Sequence, residues 1–147
     1  MQPELVQELL ELCRGAGYEP LELLKIGANA DPTLPVLKQS ISLREEGFTA
    51  LSLDFLDKAE AGGLKSGWIQ DNRARALLLL QRRDEAKKIW LDLQLQPDEI
   101  LRDVAREQVE QLELEEQIPA LWSQLQIMAK ENCWTFRFLS ADLSSYS

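Results

Sequence analysis

The sequence predicts an all-α fold built as a solenoid of antiparallel helix hairpins, and three observations carry that expectation. Residues 33–100 read as two copies of a helix–turn–helix unit with a period of 34 residues. Gly47, Ser52, Leu56 and Ala59 fall opposite Gln81, Ala86, Trp90 and Leu93, with Leu43 opposite Leu77 and Lys38 opposite Asn72. A fixed period of this size marks an architecture in which each helix pair stacks on its neighbour. Second, apolar residues recur at helical spacing in segments broken by Gly and Pro, and amphipathic helices this short must stack to be stable. Third, strand-like alternation occurs only at Cys133–Leu139, with no second strand candidate to pair with it.

In chain order, Pro3–Arg14 puts Leu5, Leu9, Leu12 and Cys13 on one face with Glu4, Glu8 and Glu11 opposite, and Pro3 suits a first turn. Gly15 and Gly17 break this helix, and Pro20–Ala28 opens a shorter one carrying Leu21, Leu23, Leu24 and Ile26. The pair reads as an N-terminal hairpin over residues 1–30 that covers the first repeat. Asp31-Pro32-Thr33 starts the next helix, with Leu34, Leu37, Ile41 and Leu43 or Arg44 as its stripe and Gly47 as its stop. Its partner runs from Phe48 or Thr49 to Glu60, and together they form a repeat over 33–66.

The second repeat, 67–100, carries Trp68, Ile69, Ala74, Leu77 and Leu78 on its first helix and Ala86, Ile89, Trp90 and Leu93 on its second. Pro97 stops it and Asp98 offers a fresh N-cap. Residues 101–132 read as a third, capping hairpin, with Pro119 restarting the helix after a short break. Residues 133–147 form an aromatic tail in which Trp134, Phe136 and Phe138 cluster. The whole is expected to be a single helical-repeat domain, 1–147.

Composition narrows the function. The net charge of −9 argues against a nucleic-acid backbone or an anionic membrane surface as main ligand. The chain contains no histidine, so Ser–His–Asp and Cys–His catalysis and histidine-bearing zinc sites are excluded. Cys13 and Cys133 are too few for a four-thiolate site and read as two reduced thiols. Adjacent acids such as Glu45–Glu46 point about 100° apart on a helix and cannot act together on one bond. Neither a phosphate loop, a redox CxxC nor a calcium loop is present, and no cofactor is expected. The first residues lack the basic and apolar regions of a secretory signal, and no apolar run approaches the ~20 residues that span a bilayer. The expectation is a cytoplasmic protein without membrane insertion.

The repeat resembles the tetratricopeptide (TPR) family in residues that can be named: Leu43, Gly47, Ser52, Leu56 and Ala59 in one copy, Ala74, Leu77, Ala86, Trp90 and Leu93 in the other, and a closing Pro97 displaced by one residue. The resemblance implies a right-handed superhelical solenoid of about three hairpins plus a C-terminal segment. Its implied role is a non-enzymatic protein–protein interaction module that holds a partner protein or peptide on a concave face. The first helix of each hairpin would line that face, with Leu34, Lys38, Ile41 and Arg44, then Trp68, Asn72, Arg75 and Leu79, then Arg102, Arg106 and Val109. Of these, Lys38, Arg44, Trp68, Asn72, Arg75, Arg102 and Arg106 are the candidate partner-binding residues. Asn72, Arg102 and Arg106 fall where some TPR proteins grip a terminal carboxylate, and an amide with two guanidiniums can share one through charge-assisted bonds. The first repeat has Leu37 and Ile41 where that grip needs a lysine and an asparagine, so a complete clamp is not expected.

Charge is uneven. Residues 65–97 hold seven basic against four acidic groups, while residues 98–131 hold nine acidic against three basic. That asymmetry suits an acidic partner steered to a basic groove, or a structural subunit or assembly factor that forms homo-oligomers through its charged blocks and aromatic tail.

Overall fold

The computed structural model describes residues 3–26 and 30–131, and every regular element among them is helical. They are α1 (Pro3–Gly15), a 3₁₀ turn (Leu23–Lys25), α2 (Thr33–Glu45), α3 (Thr49–Ala61), α4 (Gly67–Leu79), α5 (Arg83–Leu93) and α6 (Glu99–Glu131). The chain divides into two compact units, residues 1–109 and 110–147. Among the described residues no helix is long and apolar enough to cross a membrane. The aromatic cluster Trp134, Phe136 and Phe138, and the thiol of Cys133, lie outside the described residues.

The period of 34 is written into the helix boundaries of the first unit: α2 and α4 begin at Thr33 and Gly67, α3 and α5 at Thr49 and Arg83. The local reasons repeat too. Both first helices end in a residue with left-handed backbone, Gly47 at φ 92° and Gln81 at φ 64°. The next N–H then reaches back to an equivalent leucine carbonyl, Phe48 to Leu43 at 2.8 Å and Arg82 to Leu77 at 2.9 Å. Short acceptors stand one or two residues before the starts of α2, α4 and α6. Asp31 Oδ1 takes the N–H of Thr33 at 2.9 Å, Ser66 Oγ that of Trp68 at 3.2 Å, and Asp98 Oδ1 those of Ile100 and Leu101 at 3.0 and 3.2 Å.

Within this unit α1 lies against α3, α3 packs between α2 and α4, and α4 packs on both α2 and α5. Small residues set the crossings. Ser40 and Ser52 are fully buried, and Ser52 Oγ donates to the Ser40 carbonyl at 2.8 Å. Ala74 and Ala86, also fully buried, take the equivalent positions in α4 and α5. At Gly62 an added Cβ would meet Leu5 Cδ1 at 2.5 Å, and at Gly67 it would meet Leu101 Cδ2 at 2.3 Å. Each absent side chain therefore admits a leucine from a neighbouring helix. The core joins Leu5, Leu9 and Cys13 of α1 to Val36 and Leu43 of α2, Phe55, Leu56 and Ala59 of α3, and Ile69 of α4.

Three expectations change. The second helix of the N-terminal hairpin reduces to the 3₁₀ turn, because Gln39 Oε1 takes the Glu22 and Leu23 N–H groups at 2.8 and 3.3 Å before a longer helix can form. The buried stripe of α2 is Val36, Gln39, Ser40 and Leu43, whereas Leu34 is exposed and Leu37 and Ile41 are half-buried. The capping hairpin over 101–132 is one continuous helix through Pro119. Residues 110–117 are Glu, Gln and Leu throughout, all strong helix formers without a turn residue, and they carry the helix through Pro119 despite its missing donor and the crowding of its ring against the preceding turn.

Two predictions follow from these local features. Gln81→Gly relieves left-handed strain and stabilises the protein by roughly 0.5–1 kcal/mol, while Gly47→Ala destabilises by a similar amount, both read from urea midpoints at constant m. Cys13 is fully buried, and burial pushes its thiol from 9.0 up to about 11. Below pH 9 both folded and unfolded chains keep this proton; from there to pH 11 the unfolded chain releases it first, so stability falls as pH rises. Wild type should lose about 2 kcal/mol more than Cys13→Ala between pH 8 and 11, measured by denaturant titration.

Candidate partner-binding site

The most concentrated polar chemistry in the first unit sits where α4 meets α2 and α5. Asp71 and Asn72 are buried side by side on α4. Neighbours in a helix face different directions, so each serves a different helix. Asp71 Oδ1 accepts the indole N–H of the fully buried Trp90 of α5 at 2.8 Å, and its Oδ2 accepts Arg75 Nε at 2.9 Å. Asn72 turns toward α2, where its Oδ1 accepts Arg44 Nη1 at 3.1 Å. Its Nδ2 donates to the Trp68 carbonyl one turn earlier at 2.8 Å.

This arrangement brings Arg44, Asn72 and Arg75 together, three of the seven residues read from the sequence, with the Trp68 backbone as their fourth member. Arg44 is half-buried, and its guanidinium is held below its ordinary pKa first by desolvation and then by the Arg75 charge, with the Asp71 and Glu45 carboxylates acting the other way. Among the described residues it has no carboxylate within ion-pair distance. Lys38 is exposed on α2 and the Trp68 side chain is half-buried at the start of α4.

Arg102 and Arg106 do not join the cluster by any hydrogen bond. Both are exposed on α6, where Arg106 Nη2 pairs with Asp103 Oδ1 at 2.7 Å. With Gln94, Glu99 and Asp103 they line a separate polar hollow of about 320 Å³. The Asn72 amide is engaged at both ends inside the protein, so the group of Asn72, Arg102 and Arg106 is not assembled as a clamp.

Asp71 is the member that the sequence reading does not nominate. Its signal was available: an acid four residues before Arg75, in a helix otherwise rich in apolar side chains. A second polar group also escapes that reading. Tyr18 hydrogen-bonds Glu46 and receives Gln39 Nε2 at 3.3 Å, while its ring packs edge-on against Phe48 with centroids 5.2 Å apart. Burial and the Glu46 carboxylate push the Tyr18 hydroxyl up to about 12. Among the described residues no group of three or more His, Cys, Asp or Glu side chains is placed to hold a metal ion.

Compared with family models, curated proteins and solved structures, the chain matches none of them.

The Asp71–Trp90 bond can be tested directly. Asp71→Ala strands the indole donor and removes the Arg75 counter-charge, and should destabilise by roughly 3 kcal/mol; Trp90→Phe should cost about 1–3 kcal/mol. In a double-mutant cycle the two should couple by about 1 kcal/mol or more, and strict additivity would rule out the bond.

Proposed function

We propose that this chain is a non-enzymatic interaction module, a TPR-like helical solenoid that holds a partner protein or peptide on the face to which α2 and α4 contribute. The observation that carries the reading is the recurrence of helix starts, left-handed helix ends and small crossing residues at one spacing of 34. Such units bury their apolar faces against each other and leave a continuous surface of first helices for recognition. The packing of α4 on both α2 and α3 supports the same reading, since it places successive first helices side by side. A cytoplasmic setting, and a ligand range without nucleic acid or cofactor, belong to this proposal and rest on the acidic balance and missing catalytic residue types.

Affinity capture from the native cell extract tests it. Wild type should retain a partner that Lys38→Glu and Trp68→Ala lose at unchanged helicity, while Lys88→Glu on α5 should retain it. Capture indifferent to both α2 and α4 variants would reject this face as the binding surface.

A second reading, a self-associating structural subunit or assembly factor, is favoured by one observation in the second unit. Leu114, Ile118, Leu121, Ile127 and Met128 of α6 are all half or more exposed, and Ile118 and Leu121 line an apolar hollow with Trp122 and Leu125. Under this reading, sedimentation gives a mass that rises with concentration and returns to one chain in an Ile118→Glu/Leu121→Glu variant. A mass equal to one chain at all concentrations would reject it.

A further inference from the structure

Resting on the self-association reading, and deepening it, we propose that residues 114–128 of α6 pair with the same segment of a second copy of this chain, as an antiparallel helix pair related by a two-fold axis. Leu114, Ile118, Leu121, Leu125 and Met128 follow one another at intervals of four, three, four and three residues. At 3.6 residues per turn they fall within an arc of about 80° on one side of the helix. That alternation is the 3.5-residue repeat of a seam between two helices. Ile118 and Leu125 take one kind of seam position, and Leu114, Leu121 and Met128 the other. Leu114, Ile118, Leu121 and Met128 are each half or more exposed, and Leu125 is half-buried.

The relief of this face has the matching shape. Ile118, Leu121, Trp122 and Leu125 line an apolar hollow of about 400 Å³. They stand at positions i, i+3, i+4 and i+7. Four residues so placed form the hole into which a facing helix inserts one side chain. The hole calls for side chains presented at helical spacing, and the seam that frames it presents such side chains itself. In a two-fold pair each copy gives and receives the same contact. With the axis beside Ser123, Leu121 of one copy meets Leu125 of the other and Ile118 meets Met128, each pairing occurring twice. Gln124, at the edge of the seam next to the axis, then approaches its own equivalent.

Charge selects the direction. Residues 110–117 hold four glutamates and no base, whereas residues 118–129 hold no charged side chain. A parallel pair in register lays one acidic stretch along the other, with Glu110 of each copy at the edge that faces Glu115 of the other. The antiparallel pair overlays the uncharged stretch on itself and sends the acidic stretches to opposite ends. Its overlap from 118 to 128 is about three turns, or roughly 16 Å, which suits a reversible association.

The test uses the full chain with Cys133→Ser as background, the buried Cys13 being left in place. Single cysteines are then introduced as Gln124→Cys, Ile118→Cys and Lys130→Cys, and each protein is oxidised mildly with glutathione disulfide. A disulfide needs Cβ atoms within about 4.5 Å of each other. In the antiparallel pair the two 124 positions meet that limit, the two 118 positions lie about 15 Å apart along the axis, and Lys130 sits on the far side of the helix. Gln124→Cys should therefore cross-link into two-chain species at least tenfold faster than the other two. Sedimentation of the background protein should show a reversible two-chain mass, reduced to one chain by Ile118→Glu/Leu121→Glu and unchanged by deleting residues 133–147. Gln124 and Lys130 are exposed, so the cysteine comparison decides even where the glutamate variant loses its helicity by circular dichroism.

A mass of one chain at every concentration overturns this inference together with the self-association reading. A two-chain species whose Gln124→Cys variant cross-links no faster than Lys130→Cys, or whose Ile118→Cys variant cross-links fastest, overturns the antiparallel pairing alone and leaves self-association standing. Loss of the two-chain species on deleting residues 133–147 overturns it as well, since the contact then belongs to the last residues of the chain.

Discussion

The first unit depends on one buried carboxylate. Asp71 occupies the middle of α4, the helix that packs on α2, α3 and α5, and an ionised acid is stable there only if its oxygens are fully engaged. Trp90 and Arg75 supply those bonds. The Trp90 ring, fully buried, thereby acquires a fixed direction as well as a hydrophobic contribution, and it fixes how α5 lies on α4. Asn72, the next residue, does the corresponding work toward α2 through Arg44. Two adjacent polar side chains on one helix thus set the orientation of both neighbours, which apolar contacts alone leave less specific.

Polar engagement elsewhere has the same character. Gln39 sits in the core stripe of α2 because its amide caps the 3₁₀ turn and receives the tyrosine of the α1–α2 connection into its network. Across the α3–α4 contact, Arg73 reaches Asp57 at 2.7 Å and Glu60 at 3.0 Å, tying the two repeats at their edge. No buried side-chain nitrogen or oxygen among the described residues lacks a hydrogen-bond partner. The helices are consequently registered by directional bonds as well as by volume, and the small residues at Ser40, Ser52, Ala74 and Ala86 bring them near enough for those bonds to form.

Much of the fold was legible. Pro3, Gly47, Thr49 and Asp98 mark helix limits through backbone chemistry that acts over a few residues, and the structure places helix ends at or beside each. Gln81 shows how a repeat reads through a substitution: the left-handed position is kept although the residue there is not glycine. Less was legible for the candidate site. Arg44, Asn72 and Arg75 stood out by register, but nothing local said that Asn72 would be consumed internally, because its partners are 28 residues away and one turn back. Asp71 was hidden because a charged residue on a helix is usually solvated, and only the arrival of Trp90 makes its burial stable.

What the sequence determined by itself is whatever depends on short-range backbone physics and on composition: helical class, the spacing of 34, the positions of turns, and the loss of histidine chemistry. What only the tertiary structure decided is which face of each helix is core. In α2 both sides carry apolar residues, and the side chosen is the one where Gln39 and Ser40 find backbone partners, leaving Leu34 outside. In α6 the restart expected at Pro119 vanishes into a single helix, because the strong helix formers before it outweigh the lost hydrogen bond and the crowding of the proline ring against the preceding turn. Burial is a property of pairs of surfaces, and a sequence presents its surfaces one at a time.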